Sequence, residues 1–234
     1  FMKLLHIIGA RPQFIKYFSV QEALYKRFAD GPGENCLVHS GQHYDYRLSE
    51  IFFAELGIEK PAYHLEVGSG AQGEQTALVM TRAEEVLRKE HPEIVVVYGD
   101  TNTTLGAALA AAKLHLPVAH IEAGLRSRNK GMPEEINRVL VDHLATFLFC
   151  PSAVAVDNLR KENIGCKTYG SDENNDAGGM GKEEIILRRR DGAAVDIDNP
   201  LVVQVGDVMY DTLLHTLRLA RERSSILAEM GLEE

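Results

Sequence analysis

The sequence predicts an α/β fold, a doubly wound and mostly parallel sheet of about seven strands with helices on both faces. Three observations lead there. Short apolar runs alternate with segments of helical periodicity along the 234 residues. The runs are continuously apolar, as in parallel strands covered on both sides. Most of them stop at a glycine, a proline or an acid that suits the start of the next helix.

Lys3-Leu4-Leu5-His6-Ile7-Ile8 is the first buried strand, closed by Gly9-Ala10-Arg11-Pro12. Pro12 suits a first helical turn, where its missing N–H costs nothing, and this helix runs to about Arg27. Arg11 and Lys16 set two cations beside the free N–H groups of the helix start, an arrangement that binds anions; the alternative is two solvated surface cations. Cys36-Leu37-Val38-His39 is a short second strand ending in the polar loop Ser40-Gly41-Gln42-His43 at the same sheet edge. His43 serves there either as a hydrogen-bonding group for a ligand or as a structural histidine. Leu48 to Leu56 has helical spacing.

Tyr63 to Val67 leads into Gly68-Ser69-Gly70-Ala71-Gln72-Gly73, which matches the G-x-G-x-x-G pattern of dinucleotide sites. The preceding segment is short and carries His64 and Glu66, and the next strand-ending acid, Asp100, lies roughly 27 residues after Gly73, beyond the expected ~20. The stretch is read as a loop before a helix from Gln75 to Lys89, not as a nicotinamide site.

Glu93 to Tyr98 is the central strand, mostly β-branched. It stops at Gly99-Asp100 and continues into a hydroxyl-rich, Ala-rich helix from Thr101 to Lys113. Asp100 therefore sits at the carboxyl end of a central strand, where open α/β sheets bind ligands; capping the helix is its other reading. Leu116 to Ile121 repeats the pattern, with Pro117 opening the strand and Glu122 ending it beside Gly124 and Arg126; Glu122 is either a second carboxylate at the edge of Asp100 or a surface acid at a strand end. Pro133-Glu134-Glu135-Ile136-Asn137-Arg138 starts a helix, with proline early and acids in the first turn. Spacing alone favours dipole compensation for Glu134, which shares a face with Arg138.

Phe147 to Cys150 is another buried strand, and Ala153 to Glu162 the helix after it. Gly170 to Pro200 is polar and glycine-rich and reads as a surface excursion; its arginine triplet is a solvated face. Leu201 to Val205 returns to strand, and a helix from about Met209 to Met230 closes the chain with Leu213, Leu214, Leu217 and Leu219 as buried positions.

Composition excludes several classes. A formal net charge of −9 argues against general nucleic-acid binding, so an anionic ligand needs a local basic pocket. No apolar run approaches the ~20 residues of a membrane span. The N-terminus lacks a signal peptide's apolar core, and Phe1 ahead of Met2 reads as an addition to the natural start. Cys36, Cys150 and Cys166 are scattered and suggest neither a metal cluster nor a disulfide framework, which fits the cytoplasm.

Gly9-Ala10-Arg11-Pro12-Gln13, Gly41-Gln42-His43, Tyr98-Gly99-Asp100-Thr101, His120 to Arg126, Pro133 to Arg138 and Gly206 to Asp211 form an ordered series. In this series the chain resembles the non-hydrolysing UDP-N-acetylglucosamine 2-epimerases, over nearly all of its length except the excursion. The resemblance implies a glycosyltransferase-B architecture of two Rossmann-like domains around a cleft. It implies interconversion of UDP-N-acetylglucosamine and UDP-N-acetylmannosamine at C2, by elimination of UDP and re-addition, without a nicotinamide cofactor. A close relative acting on UDP-diacetamido-glucuronic acid is not separated from it here.

By the same resemblance Asp100, Glu122 and Glu134 are the catalytic carboxylates and Arg11 and Lys16 the basic ligand-binding positions, with Gln42, His43, Arg126 and Arg138 as further substrate-binding candidates. The family's second domain supplies most uridine and diphosphate contacts and a catalytic histidine, and this chain stops where that domain would begin. Residues 1–234 are therefore expected to form the N-terminal Rossmann-like domain, with negligible epimerisation on their own. Two other readings stay open, a nucleotide-sugar or partner-binding module without turnover and a glycosyltransferase of the same architecture. The expected partner is a UDP-sugar, with neither nucleic acid nor membrane, and a homodimer is left open.

Overall fold

The computed structural model describes residues 2–28, 33–42, 53, 56–165, 167–169 and 200–232. Within them, eight strands form one sheet: β1 (Met2–Ile8), β2 (Gly33–His39), β3 (Tyr63–His64), β4 (Ile94–Tyr98), β5 (Val118–Ile121), β6 (Phe147–Cys150), β7 (Lys167–Tyr169) and β8 (Leu201–Gln204). Every pairing is parallel, in the order β3-β2-β1-β4-β5-β6-β8-β7. The helices are α1 (Arg11–Phe28), α2 (Gln72–Glu90), α3 (Asn102–Lys113), α4 (Pro133–Leu144), α5 (Ala153–Lys161), α6 (Val208–Arg223) and the short α7 (Ile226–Glu229). No described helix is long and apolar enough to cross a membrane.

The continuous apolar runs are explained by alternation between two cores. Leu5, Ile7, Val95, Val97 and Val118 pack with α2, α3, α4 and α5 on one face. Ile8, Val96, Tyr98, Ala119 and Ile121 pack with Phe14, Tyr17 and Phe18 of α1 on the other. A strand covered on both sides has no polar face to expose, so its sequence loses the period of two. The order reverses at β1 and β4, which go their separate ways across the sheet. The crevice outside the carboxyl ends of strands at such a switch point is where open α/β sheets take ligands.

The expected parallel sheet of about seven strands is present, and Lys167–Tyr169 adds an edge strand beside β8. Several sequence expectations need correction. The segment after Tyr63 pairs for two residues only, and the rest of it, with Gly68 to Gly70, is a loop before α2. The closing helix is broken at the extended Ser224. Leu213, Leu214 and Leu217, expected to be buried, are 57%, 53% and 43% exposed. Helix α6 meets α1 with a polar side: Thr212 donates to the Ile15 carbonyl, Ser19 to the Val208 carbonyl, and His215 lies edge-on to Phe18. Leu219's side chain, the helix expected around 48–56 apart from Phe53 and Leu56, and residues 170–199 of the excursion lie outside the described residues.

Two core histidines make stability sensitive to acid. Burial pushes the His6 imidazole down to about 3. Burial, then the nearby His64, pushes His39 down to about 4. Both folded values lie below the ordinary ~6.5, so above that pH the two states bind equal protons at these groups. As pH falls from about 6.5 towards the folded values, the unfolded chain binds more protons and stability is lost, at up to about 1.4 kcal/mol per pH unit for each group. The urea midpoint should be clearly lower at about pH 5 than at about pH 7; equal midpoints would contradict neutral burial of the two rings.

Candidate active site

Parallel strands end on one side of a sheet, so adjacent strands in register deliver their following residues side by side. Tyr98 of β4 pairs with Ile121 of β5, and the Gly99 N–H donates to the Ile121 carbonyl at 3.0 Å. Gly99-Asp100 and Glu122 are therefore neighbours. Gly99 has φ +62°, a conformation that favours glycine, and a Cβ on it would press on Lys16 Nζ at 3.0 Å.

Lys16, on the second turn of α1, donates to Glu122 Oε2 at 2.7 Å, with its side chain 7% exposed and that of Glu122 19% exposed. Glu122 holds φ +76°, a conformation that costs a non-glycine residue about 1–3 kcal/mol and is found where the surroundings over-determine it. Here the amides of Glu122 and Ala123 both donate to the Phe149 carbonyl. A shallow cleft beside it is lined by Glu122, Phe149, Pro151, Val205 and Asp207. Asp207 caps α6 by accepting from the Met209 N–H at 2.8 Å.

Asp100 does not cap α3. Thr101 does, in a reciprocal capping box with Thr104. The Asp100 carboxylate is left to form an ion pair with Arg138 of α4. Arg138 also donates to Glu135 at 3.1 Å. Glu135, buried, accepts from the Ser127 N–H and hydroxyl and from the Arg128 N–H, and these bonds hold its carboxyl below the usual range against the opposing effect of burial. Glu134, one residue earlier, is exposed and has no hydrogen-bond or ion-pair partner among the described residues.

Amides hold the loops together. Gln13 Oε1 accepts from the Gly9 and Ala10 N–H groups at 2.7 and 2.9 Å, while its Nε2 donates to the Tyr98 carbonyl at 2.7 Å and to the Thr101 and Thr104 hydroxyls. Asn137 Nδ2 donates to the Asp100 carbonyl at 2.9 Å and to Asn102, which donates to Gln72 and Gln75. Sequence reasoning passed over Gln13, although glutamine at the third helical position, reaching back to the cap N–H, is a known capping signal. Asn137 carries no such local signal.

Of the remaining candidates, Arg11 opens α1 and is exposed. The Gln42 amide oxygen is committed to Thr103, accepting from its N–H at 3.1 Å and its hydroxyl at 2.6 Å. His43 lies outside the described residues. Arg126, expected to meet substrate, is instead enclosed at 2% side-chain exposure, paired with Asp142 at 2.6 Å and in a two-point contact with Glu162. A guanidinium between two carboxylates has no donor directed at the open edge. Among the described residues no cluster of histidine, cysteine and acids is arranged to hold a metal ion.

The model of the UDP-N-acetylglucosamine 2-epimerase family matches residues 29–233. A UDP-N-acetylglucosamine 2-epimerase homolog from Methanococcus maripaludis is 41% identical over all 234 residues, which cover 55% of that protein. The UDP-2,3-diacetamido-2,3-dideoxy-D-glucuronate 2-epimerase of Pseudomonas aeruginosa is 54% identical over 163 residues, 70% of this chain and 45% of the relative. The structure of Methanocaldococcus jannaschii UDP-GlcNAc 2-epimerase in complex with UDP-GlcNAc and UDP superposes with a TM-score of 0.79 at 37% identity, covering 98% of this chain and 53% of that one. The chain thus spans about half the length of the curated relatives it matches.

Proposed function

This chain belongs to the UDP-N-acetylglucosamine 2-epimerase family, and we propose that it is the first half of an enzyme that inverts C2 of UDP-N-acetylglucosamine. The supporting observation is the meeting of Asp100 and Glu122 at one sheet edge, each against a cation, with Glu134 on the helix that supplies Arg138. Elimination removes the C2 proton to a carboxylate and breaks the C1–oxygen bond. The electron pair of the C2–H bond becomes the C1–C2 double bond of a glycal, and UDP departs with the C1–O pair. Return of a proton to the opposite face of C2, with UDP adding back at C1, gives the manno epimer. Asp100, Glu122 and Glu134 act as base and acid in these steps. Arg11 and Lys16 supply positive charge to the departing diphosphate at the α1 N-terminus. Gln42 and Arg138 position their neighbouring loops, and His43, next to Gln42 in sequence, is a substrate contact.

The family resemblance assigns most uridine contacts to further residues that the relatives carry, so the 234-residue chain alone is expected to turn over negligibly. Product analysis in heavy water tests this on two proteins, the chain itself and the chain extended by the carboxyl-terminal half of the Methanocaldococcus jannaschii relative. The extended form should place solvent deuterium at C2 of both epimers, whereas a glycosyltransferase would leave C2–H intact and need an acceptor. Absence of exchange in a folded extended form that binds UDP-N-acetylglucosamine would refute the proposal. UDP-2,3-diacetamido-2,3-dideoxyglucuronate is the second substrate to try, on the strength of the Pseudomonas aeruginosa similarity.

A further inference from the structure

A buried ionic chain lies behind the two carboxylate turns, and none of its inner members reaches the open edge. His120 on β5 is wholly enclosed, its Nε2 2.8 Å from the Gly99 carbonyl and its Nδ1 2.7 Å from Asp142 Oδ1. Asp142 on α4 is also wholly enclosed, and its Oδ2 accepts from the Gly124 N–H at 3.0 Å and from Arg126 at 2.6 Å. Arg126 passes the chain on to Glu162, whose side chain is 30% exposed. Cys150 of β6, near Asp142 and Arg126, has its thiol pushed by burial up to about 12 and adds no charge.

The hydrogen-bond partners count the protons. The Gly99 carbonyl only accepts, so Nε2 must carry hydrogen. A neutral ring with Nε2–H would turn the Nδ1 lone pair onto a carboxylate oxygen, and two lone pairs do not approach to hydrogen-bond distance. One proton therefore lies between Nδ1 and Oδ1. Asp142 Oδ2 already takes two donors, one a guanidinium, and both favour the ionised carboxylate. Without that proton Asp142 and Glu162 would face Arg126 alone, whereas with it the charges of the chain balance.

We infer that His120 is a positioning residue held as an imidazolium, and that the chain Gly99 carbonyl–His120–Asp142–Arg126–Glu162 locks the Asp100 turn against the Glu122–Gly124 turn. Asp142 joins both, holding the first through His120 and the second through the Gly124 N–H. Two carboxylates on separate strand ends thereby keep one spacing without being bonded to each other. The inference concerns protonation and placement in this chain. It stands or falls separately from the epimerase proposal.

The test is ¹⁵N NMR of the histidine rings in the 234-residue chain at about pH 8, where a histidine of ordinary pKa, about 6.5, is neutral. The His120 ring, assigned by through-bond correlation and by its loss in H120Q, should show two protonated nitrogens. A ring with a single N–H would overturn the inference. In D142N the ring should revert to one N–H, and the amide signals of Gly99, Asp100, Glu122 and Gly124 should move while those of β2 stay. Unmoved turn amides would refute the positioning role. Should D142N not fold, E162Q, at the exposed end of the chain, should move the same four amides by a smaller amount, and their constancy would count equally against the inference.

Discussion

Glu122→Gln should lower C2 exchange from UDP-N-acetylglucosamine by about 10²- to 10⁴-fold in the extended protein, the range lost with a proton-transferring group. That corresponds to about 3–5 kcal/mol of transition-state stabilisation. The glutamine keeps the shape of the side chain and an oxygen for Lys16 to donate to, so the turn at φ +76° and the fold should survive. What it loses is the capacity to hold a proton. The loss should appear in kcat more than in KM, because the C2 proton is transferred only in the reacting complex. Substituting Asp207, which caps α6 beside the same cleft, by asparagine should leave kcat close to wild type, since asparagine caps as well as aspartate. A wild-type kcat in Glu122→Gln would remove Glu122 from the chemistry and leave Asp100 and Glu134 to carry it.

Gln13→Ala should cost about 3–5 kcal/mol of folding stability, a large share of the 5–15 kcal/mol typical of a domain. Gln13 is 1% exposed. Its removal strands the Gly9 and Ala10 N–H groups, at about 1–3 kcal/mol for each buried donor without a partner, and leaves a void between α1 and the β4 turn. The Tyr98 carbonyl retains the Thr104 hydroxyl at 2.7 Å, which limits the damage on that side. Urea unfolding reads the effect as a lower midpoint at unchanged slope. Gln13→Glu is the informative companion: it still accepts from Gly9 and Ala10 but sets a carboxylate against the Tyr98 carbonyl, so it should also destabilise. If Gln13→Ala loses less than about 1 kcal/mol, the amide is not what joins the two loops.

The strand ends were legible because a run such as Val95-Val96-Val97-Tyr98 followed by Gly99-Asp100 announces a strand, a turn and a polar residue within a few positions. Glu122 was legible for the same reason. The fate of Arg126 was not: its partners Asp142 and Glu162 lie on two different helices, and no spacing rule links them. The leucines of α6 misled because helical periodicity identifies an apolar stripe without saying what covers it. In the described residues that stripe is exposed, and the polar side of the helix meets α1.

The sequence by itself determined the order of strands and helices and, since parallel strands finish on a common side, that Asp100 and Glu122 belong to one edge. Those are consequences of local periodicity and turn chemistry. Only the tertiary structure decided that Lys16 faces Glu122, that Arg138 faces Asp100 and that His120 and Asp142 stand behind both. Such pairings depend on strand order and register, which bring distant segments together, and an ion pair between them leaves no trace in the spacing of either segment.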